Sequence, residues 1–156
     1  MNLKFYRIRK EAKLPVRAHP IDAGMDVFYC PDNVSTGKLY ETSDFWIPPS
    51  ESRVLPTGLK VEVPPGYMLE IKNKSGIASK RQLIVGACVV DPGYNGEVFI
   101  NLHNVGNETQ VVRPGEKVAQ AVLIPVVHCE VEEAFEDNLN QDSSRGHGGF
   151  GSTGNV

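Results

Sequence analysis

Cysteine is scarce in this chain, and the three present, Cys30, Cys88 and Cys129, lie far apart with no C-x-x-C step among them. That excludes a zinc knuckle or a dithiol redox motif and leaves reduced thiols, as expected of an intracellular, cytoplasmic protein. Long apolar runs are lacking as well, so no membrane span and no membrane partner are expected. Positive charge is not in excess: 16 Lys and Arg against 19 Asp and Glu leave a net charge of −3, and stable nucleic acid binding is not expected. The basic stretch from Lys4 to Arg17 contains no serine, which argues against a targeting presequence, and its Leu3, Phe5 and Ile8 fit a first strand.

Also missing is any sustained 3.6-residue apolar period; alternation with period two recurs in its place. Leu59, Val61 and Val63 alternate with Lys60 and Glu62, and Tyr67, Leu69 and Ile71 with Met68, Glu70 and Lys72. Val98, Ile100 and Leu102 repeat the pattern, while Val118, Val122 and Ile124 share a face with Gln120, a conspicuous polar intruder. Pro56-Thr57-Gly58, Pro65-Gly66, Pro92-Gly93, Asn95-Gly96 and Pro114-Gly115 punctuate these runs as turns. One brief helix is predicted over 75–81. The pattern predicts a single all-β domain over residues 1–137, a sandwich, barrel or jelly roll. Residues 30–44 read as a polar surface loop and 138–156 as a flexible glycine-rich tail.

Gly146, Gly148 and Gly151 of that tail fall in G-x-G-x-x-G spacing, but a dinucleotide-binding turn needs a strand before it and a helix after it. Five residues follow Gly151, too few for that helix, so the match is accidental. The tail instead offers Arg145 for a forked phosphate contact, Ser152 and Thr153 as hydroxyl donors, glycines for close approach, and Phe150 to stack on a planar base.

Four internal segments also concentrate polar residues. In "AGMDV" (23–27) Asp26 stands among apolar neighbours, as a turn-forming aspartate would. "NKSGIAS" (73–79) groups a cation, a hydroxyl and backbone N–H groups at Lys74, Ser75 and Gly76, which suits a phosphate or an ordinary polar turn. "CVVDPGYNGEV" (88–98) reads as a hairpin: Asp91 ends an apolar strand, Pro92-Gly93 turns the chain and Tyr94 starts the return, presenting a carboxylate and a phenol together. In "PGEKVAQAV" (114–122) a buried Gln120 would need a partner.

In this order and spacing the five segments resemble the five motifs of the trimeric dUTPase family, over nearly the whole chain. The resemblance implies a jelly-roll-like β subunit in a homotrimer, with active sites at subunit interfaces, each closed by another subunit's tail. It further implies hydrolysis of dUTP to dUMP and pyrophosphate with Mg²⁺ on the triphosphate, limiting uracil in DNA and supplying dUMP for dTMP synthesis. By the same resemblance Asp91 is the general base for water attacking the α-phosphorus, and Tyr94 packs beneath the deoxyribose and rejects a 2′-hydroxyl. The backbone around Cys88, Val89 and Val90 reads the uracil edge, and Lys74, Ser75 and Gly76 hold phosphate oxygens. Gln120 contacts phosphate or a metal-bound water, and Asp26 partners Mg²⁺ through water. Phe150 stacks on uracil, while Arg145, Gly151, Ser152 and Thr153 serve the closing tail.

The chain departs from the family pattern at several places. Lys74 stands where arginine is usual, which keeps the charge but loses the planar fork, and Asn73 replaces a proline. Cys88 occupies a position that is usually glycine, Asn95 replaces an arginine or glutamine, and His147 sits at a variable tail position. Two alternatives are weighed against the hydrolase: a dCTP deaminase-like enzyme on the same fold, which would lack the "GGFGSTG" tail, and a regulatory protein-binding scaffold, against which the intact Asp91 and Tyr94 speak.

Overall fold

The computed structural model describes residues 1–32 and 44–135; most of the expected 30–44 loop, and the whole tail from 138, lie outside the described residues. In chain order the elements are β1 (Lys4–Arg7), β2 (Met25–Phe28), β3 (Phe45–Ile47), β4 (Ser52–Pro56), β5 (Leu59–Glu62), β6 (Tyr67–Asn73), α1 (Ser75–Arg81), β7 (Leu83–Val85), β8 (Val89–Val90), β9 (Phe99–Asn104), β10 (Gln110–Val112) and β11 (Lys117–Pro125). The period-two runs became β5, β6 and β9, and the brief helix spans the residues expected of it.

All pairings between these strands are antiparallel. A four-stranded sheet runs β2-β11-β6-β8, a three-stranded one β4-β9-β7, and two ribbons pair β1 with β5 and β3 with β10. Their inner faces meet in one apolar core: Leu69 and Ile71 of β6 and Ala119 and Ala121 of β11 join Leu55, Ile100, Leu102 and Ile47. Tyr29 is also fully buried there, its ring edge-on to Phe45 with centroids 5.7 Å apart. α1 stops where Gln82 turns left-handed at φ 53°. Arg81 then ties its end to the β10–β11 region, bonding Glu116, the Gln110 amide oxygen (3.0 Å) and the Val111 carbonyl (2.7 Å).

Two sequence expectations are corrected. The 88–98 segment is not a hairpin, because β8 pairs with β6 whereas β9 pairs with β4 and β7. The chain crosses between sheets because the β4–β5 turn captures the return limb: Thr57 Oγ1 donates to the Val98 carbonyl at 2.6 Å, and Val98 N–H to the Leu59 carbonyl at 2.8 Å. The apolar face of β11 is not the one carrying Gln120. A register shift between Lys117 and Ala119 leaves Val118 and Ala119 both buried, after which the core takes Ala121. Gln120, Val122 and Ile124 therefore lie on the opposite, half-buried face.

Asn104 shows how the core tolerates polarity. Its Nδ2 donates to the carbonyls of Ile47 (2.8 Å) and Glu108 (2.7 Å), and its Oδ1 accepts from Gly106 N–H (3.0 Å), with the residue 1% exposed. Asn104→Ala strands these groups, and a loss of about 1–3 kcal/mol for each one left unpaired is expected. Denaturant unfolding checks this; a variant as stable as the parent would remove Asn104 from the account of the β3–β9 junction.

Candidate active site

The four-stranded sheet gathers the internal segments that sequence singled out: β2 carries Asp26, β11 carries Gln120, β6 leads into Lys74, and β8 leads into Asp91. Asp26 and Gln120 are register partners, and Gln120 also faces Lys72 across β6. Asp26 is 5% exposed, and its carboxylate accepts from Lys74 Nζ at 2.6 Å and Lys117 Nζ at 3.0 Å. Burial pushes its pKa up, but the hydrogen bonds and charges of the two lysines outweigh that and hold the carboxyl below its ordinary value.

Gln120 lies so close over Gly24 that any Cβ there would collide with the carboxamide, which explains the glycine of "AGMDV". Its Nε2 donates to the Asn73 carbonyl at 2.9 Å. Asn73 in turn accepts the Val85 N–H on its Oδ1 at 2.6 Å, fastening the end of β6 to β7. Lys74 then begins α1: the N–H groups of Ile77 and Ala78 both return to its carbonyl at 2.9 Å, so Ser75 and Gly76 stand at the exposed first turn, their N–H groups outside the helix ladder. Apart from its chain neighbours and the helix backbone, no described atom lies within 4 Å of where a Cβ on Gly76 would stand. Asp26, Lys74, Ser75, Gly76 and Gln120 thus form one cationic and hydrogen-bonding cluster at one end of the sheet.

The remaining internal candidates form a second cluster. Cys88, Val89, Val90, Asp91 and Tyr94 line a cavity of about 280 Å³. Ile71 N–H donates to the Cys88 carbonyl at 2.7 Å, so Ile71–Cys88 is a hydrogen-bonded pair and Glu70–Val89 a non-hydrogen-bonded one. The N–H and C=O of Val89 therefore face the open edge of the sheet, a donor and acceptor ready for a planar ligand. Asp91 follows, exposed, and its carbonyl accepts Tyr94 N–H at 3.3 Å across the turn made by Gly93 at φ 83°. The Tyr94 phenol lies against Gly96, where a Cβ would clash with it, and donates to the Glu97 carbonyl at 2.9 Å. A second recess of about 480 Å³ on the β1–β5 ribbon shares Tyr94 but not Asp91.

The two clusters approach each other along β6, where Cys88 bonds Ile71 and Gln120 faces Lys72, but Asp91 and Lys74 are not brought together. β8 runs against β6, and continuing the register places Asp91 beside Met68, whereas Lys74 follows Asn73 at the other end. Six residues at the rise of a strand put them about 20 Å apart. Arg145, Phe150, Gly151, Ser152 and Thr153 lie outside the described residues. Sequence reasoning passed over Lys117, Arg9 and Glu97. Lys117 and Glu97 stood inside the quoted segments, but their partners, Asp26 and Arg9, are set by strand pairing rather than by local spacing.

Solved structures place this architecture in the all-β dUTPase fold: a Staphylococcus bacteriophage 80alpha dUTPase with dUPNHPP is similar at TM-score 0.82 and 25% identity, over 98% of each chain. Residues 10–154 match the family model described as dUTPase, and the chain belongs to that family. It is 41% identical over 156 residues to the deoxyuridine 5'-triphosphate nucleotidohydrolase of Gloeothece citriformis (strain PCC 7424), spanning 99% of this chain and 97% of that protein. It is 34% identical to the Clostridium kluyveri protein of the same name, over the whole of both.

Because the folded state depresses the Asp26 pKa, the carboxylate's stabilising contribution is fully present above the ordinary carboxylate range and is lost as pH falls through the folded value. Asp26→Asn is therefore expected to be less stable than the parent at neutral pH, with the difference shrinking in acid. Thermal midpoints measured across pH test this; parallel profiles for the two proteins would contradict it.

Proposed function

We propose that this protein hydrolyses dUTP to dUMP and pyrophosphate in sites assembled between copies of the chain as a homotrimer. One observation carries the reading: by strand rise Asp91 and Lys74 lie about 20 Å apart along β6, although the reading assigns both to the triphosphate, which does not span that distance within a protomer. A neighbouring copy supplies the missing half. The family membership and the names of its relatives support the same activity.

In this mechanism the open edge at Val89 reads the uracil, Cys88 and Val90 shape the cavity wall, and Tyr94 packs beneath the deoxyribose. The Asp91 carboxylate orients a water and takes its proton as the oxygen attacks the α-phosphorus. The new P–O bond forms as the bond to the bridging oxygen breaks, and pyrophosphate departs. A group of this kind contributes roughly 10²–10⁴ in rate, the rest coming from positioning and charge neutralisation. Ser75, Gly76 and Gln120 of a second copy receive the phosphates, with Lys74 adding positive charge. The tail then closes the site, Phe150 over the base and Arg145, Ser152 and Thr153 on the distal phosphates.

The described residues contain no group of three His, Cys, Asp or Glu side chains that could hold a metal, so Mg²⁺ fits as a companion of the triphosphate rather than as a resident ion. Bound in that way it would neutralise charge on the phosphate oxygens. Both Asp26 oxygens accept from lysines, so Asp26 acts on this region through Lys74 and Lys117 unless substrate loosens those contacts.

A substrate panel with pyrophosphate detection tests the reaction, with dUTP expected to be strongly preferred over dCTP, dTTP and UTP. Ammonia released from dCTP without pyrophosphate would replace the hydrolase by a deaminase. Asp91→Asn is expected to lose on the order of 10²-fold or more in turnover while keeping its assembly. Co-expressing Asp91→Asn with Ser75→Ala, each poorly active alone, is expected to restore about a quarter of the sites if each draws its two halves from different copies. No recovery in verified mixed oligomers would place both halves in one protomer.

A further inference from the structure

The site so far leaves unexplained a partly buried ion pair next to it. Arg9, from the segment after β1, meets Glu97 with both side chains largely withdrawn from solvent, 20% and 12% exposed. Arg9 Nη1 donates to Glu97 Oε2 at 3.2 Å, and Nη2 bonds Oε1 as well as the Cys30 carbonyl at 3.2 Å. Gly58 N–H, from the β4–β5 turn, donates to the same Oε1 at 2.6 Å. The Glu97 carboxylate thus collects one guanidinium and one backbone amide.

These contacts converge on a single peptide unit. The carbonyl of Glu97 and the N–H of Val98 belong to one planar amide and point in opposite directions. The N–H is committed to the Leu59 carbonyl at 2.8 Å, which turns the carbonyl toward the Tyr94 phenol, 2.9 Å away. Thr57 Oγ1 holds the next carbonyl, that of Val98, at 2.6 Å. Tyr94 itself is 45% exposed, with the edge of its ring against Gly96. Its orientation is set at two points, the turn bond from its N–H to Asp91 and the phenol bond to Glu97.

We infer that the Arg9–Glu97 pair is a positioning device for Tyr94, and that through it the N-terminal segment sets how strongly the site discriminates between deoxyribose and ribose. The inference deepens the proposed function and rests on it, because it assigns the ring to the sugar. A ring tethered at both ends presents a fixed surface to C2′; a ring released at the phenol can swing aside and admit a 2′-hydroxyl. The effect is read in the ratio of kcat/KM for dUTP to that for UTP, each measured against the unaltered protein.

The test compares the unaltered protein with Glu97→Gln, Arg9→Lys, Tyr94→Phe and the Tyr94→Phe/Glu97→Gln double variant, measuring pyrophosphate release from dUTP and UTP and the oligomeric state of each. Tyr94→Phe and Glu97→Gln are each expected to lower the dUTP/UTP ratio by about tenfold, Glu97→Gln chiefly by raising activity on UTP. Arg9→Lys, which keeps the charge, is expected to fall between them and the parent. The double variant should lose no more than either single change, because both act through one bond. An unaltered ratio in an assembled Glu97→Gln, equal losses on both nucleotides, or additive losses in the double variant would overturn the inference. Should Glu97→Gln fail to assemble, an unaltered ratio in Tyr94→Phe, which removes only the phenol oxygen, overturns it equally. No turnover of dUTP by the unaltered protein would instead overturn the functional reading beneath it.

Discussion

Antiparallel pairing of β6 with β11 on one side and β8 on the other is the constraint on which the site depends. Seven register pairs, from Ala119–Asn73 to Pro125–Tyr67, fix β6, and a slip of one residue would turn Leu69 and Ile71 out of the core. With β6 fixed, advancing along β8 toward Asp91 means retreating along β6 from Lys74. The separation of the two clusters is therefore a property of the core and not an adjustable loop feature. Two unlike patches on one chain can complement each other through a head-to-tail contact, and such contacts close into rings when the rotation permits. The homotrimer proposed for the enzyme is one ring of this kind.

The charged groups divide in the same way. Around Lys74, one buried carboxylate meets two lysines, so the cluster keeps a net positive charge. Beside Tyr94, Arg9 and Glu97 cancel, and the pair leaves little field around it. Cancelled charge buried away from water is a poor source of binding energy, but breaking it leaves an uncompensated ion, so its geometry persists. Such a pair suits holding a neutral side chain in place, whereas the unbalanced cluster suits attracting phosphate.

Much of this was legible in the sequence because it follows from local periodicity and turn chemistry. Leu59, Val61, Leu69, Ile71, Ile100 and Leu102 were read as core and are buried, and α1 was read at its observed bounds. What escaped depends on long-range pairing. The 88–98 segment has every local mark of a hairpin, yet Thr57 and Leu59, some forty residues earlier, claim Val98 and redirect the chain. Gln120 shared alternate positions with Val118, Val122 and Ile124, but a bulge at the start of β11 changed the phase, which no alternation count reveals. Arg9 read as one more charge in a basic stretch because its partner lies 88 positions away.

The departures at Asn73 and Lys74 can be understood together. A proline would fix φ at the end of β6 through its ring, whereas Asn73 uses its side chain, bonding Val85 N–H, and offers its carbonyl to Gln120. The segment's shape is thus held by hydrogen bonds to β7 and β11 and does not rely on the residue that follows. An arginine at that next position would engage a carboxylate or phosphate as a planar fork, while lysine presents a compact charge with rotatable donors. Lys74 spends one donor on Asp26, and Lys117 occupies the other Asp26 oxygen. The two lysines together cover the carboxylate that a single bidentate arginine could have covered alone. Lys74 is thus held at its place by Asp26 as one of two lysines on that carboxylate, and the cluster carries more positive than negative charge.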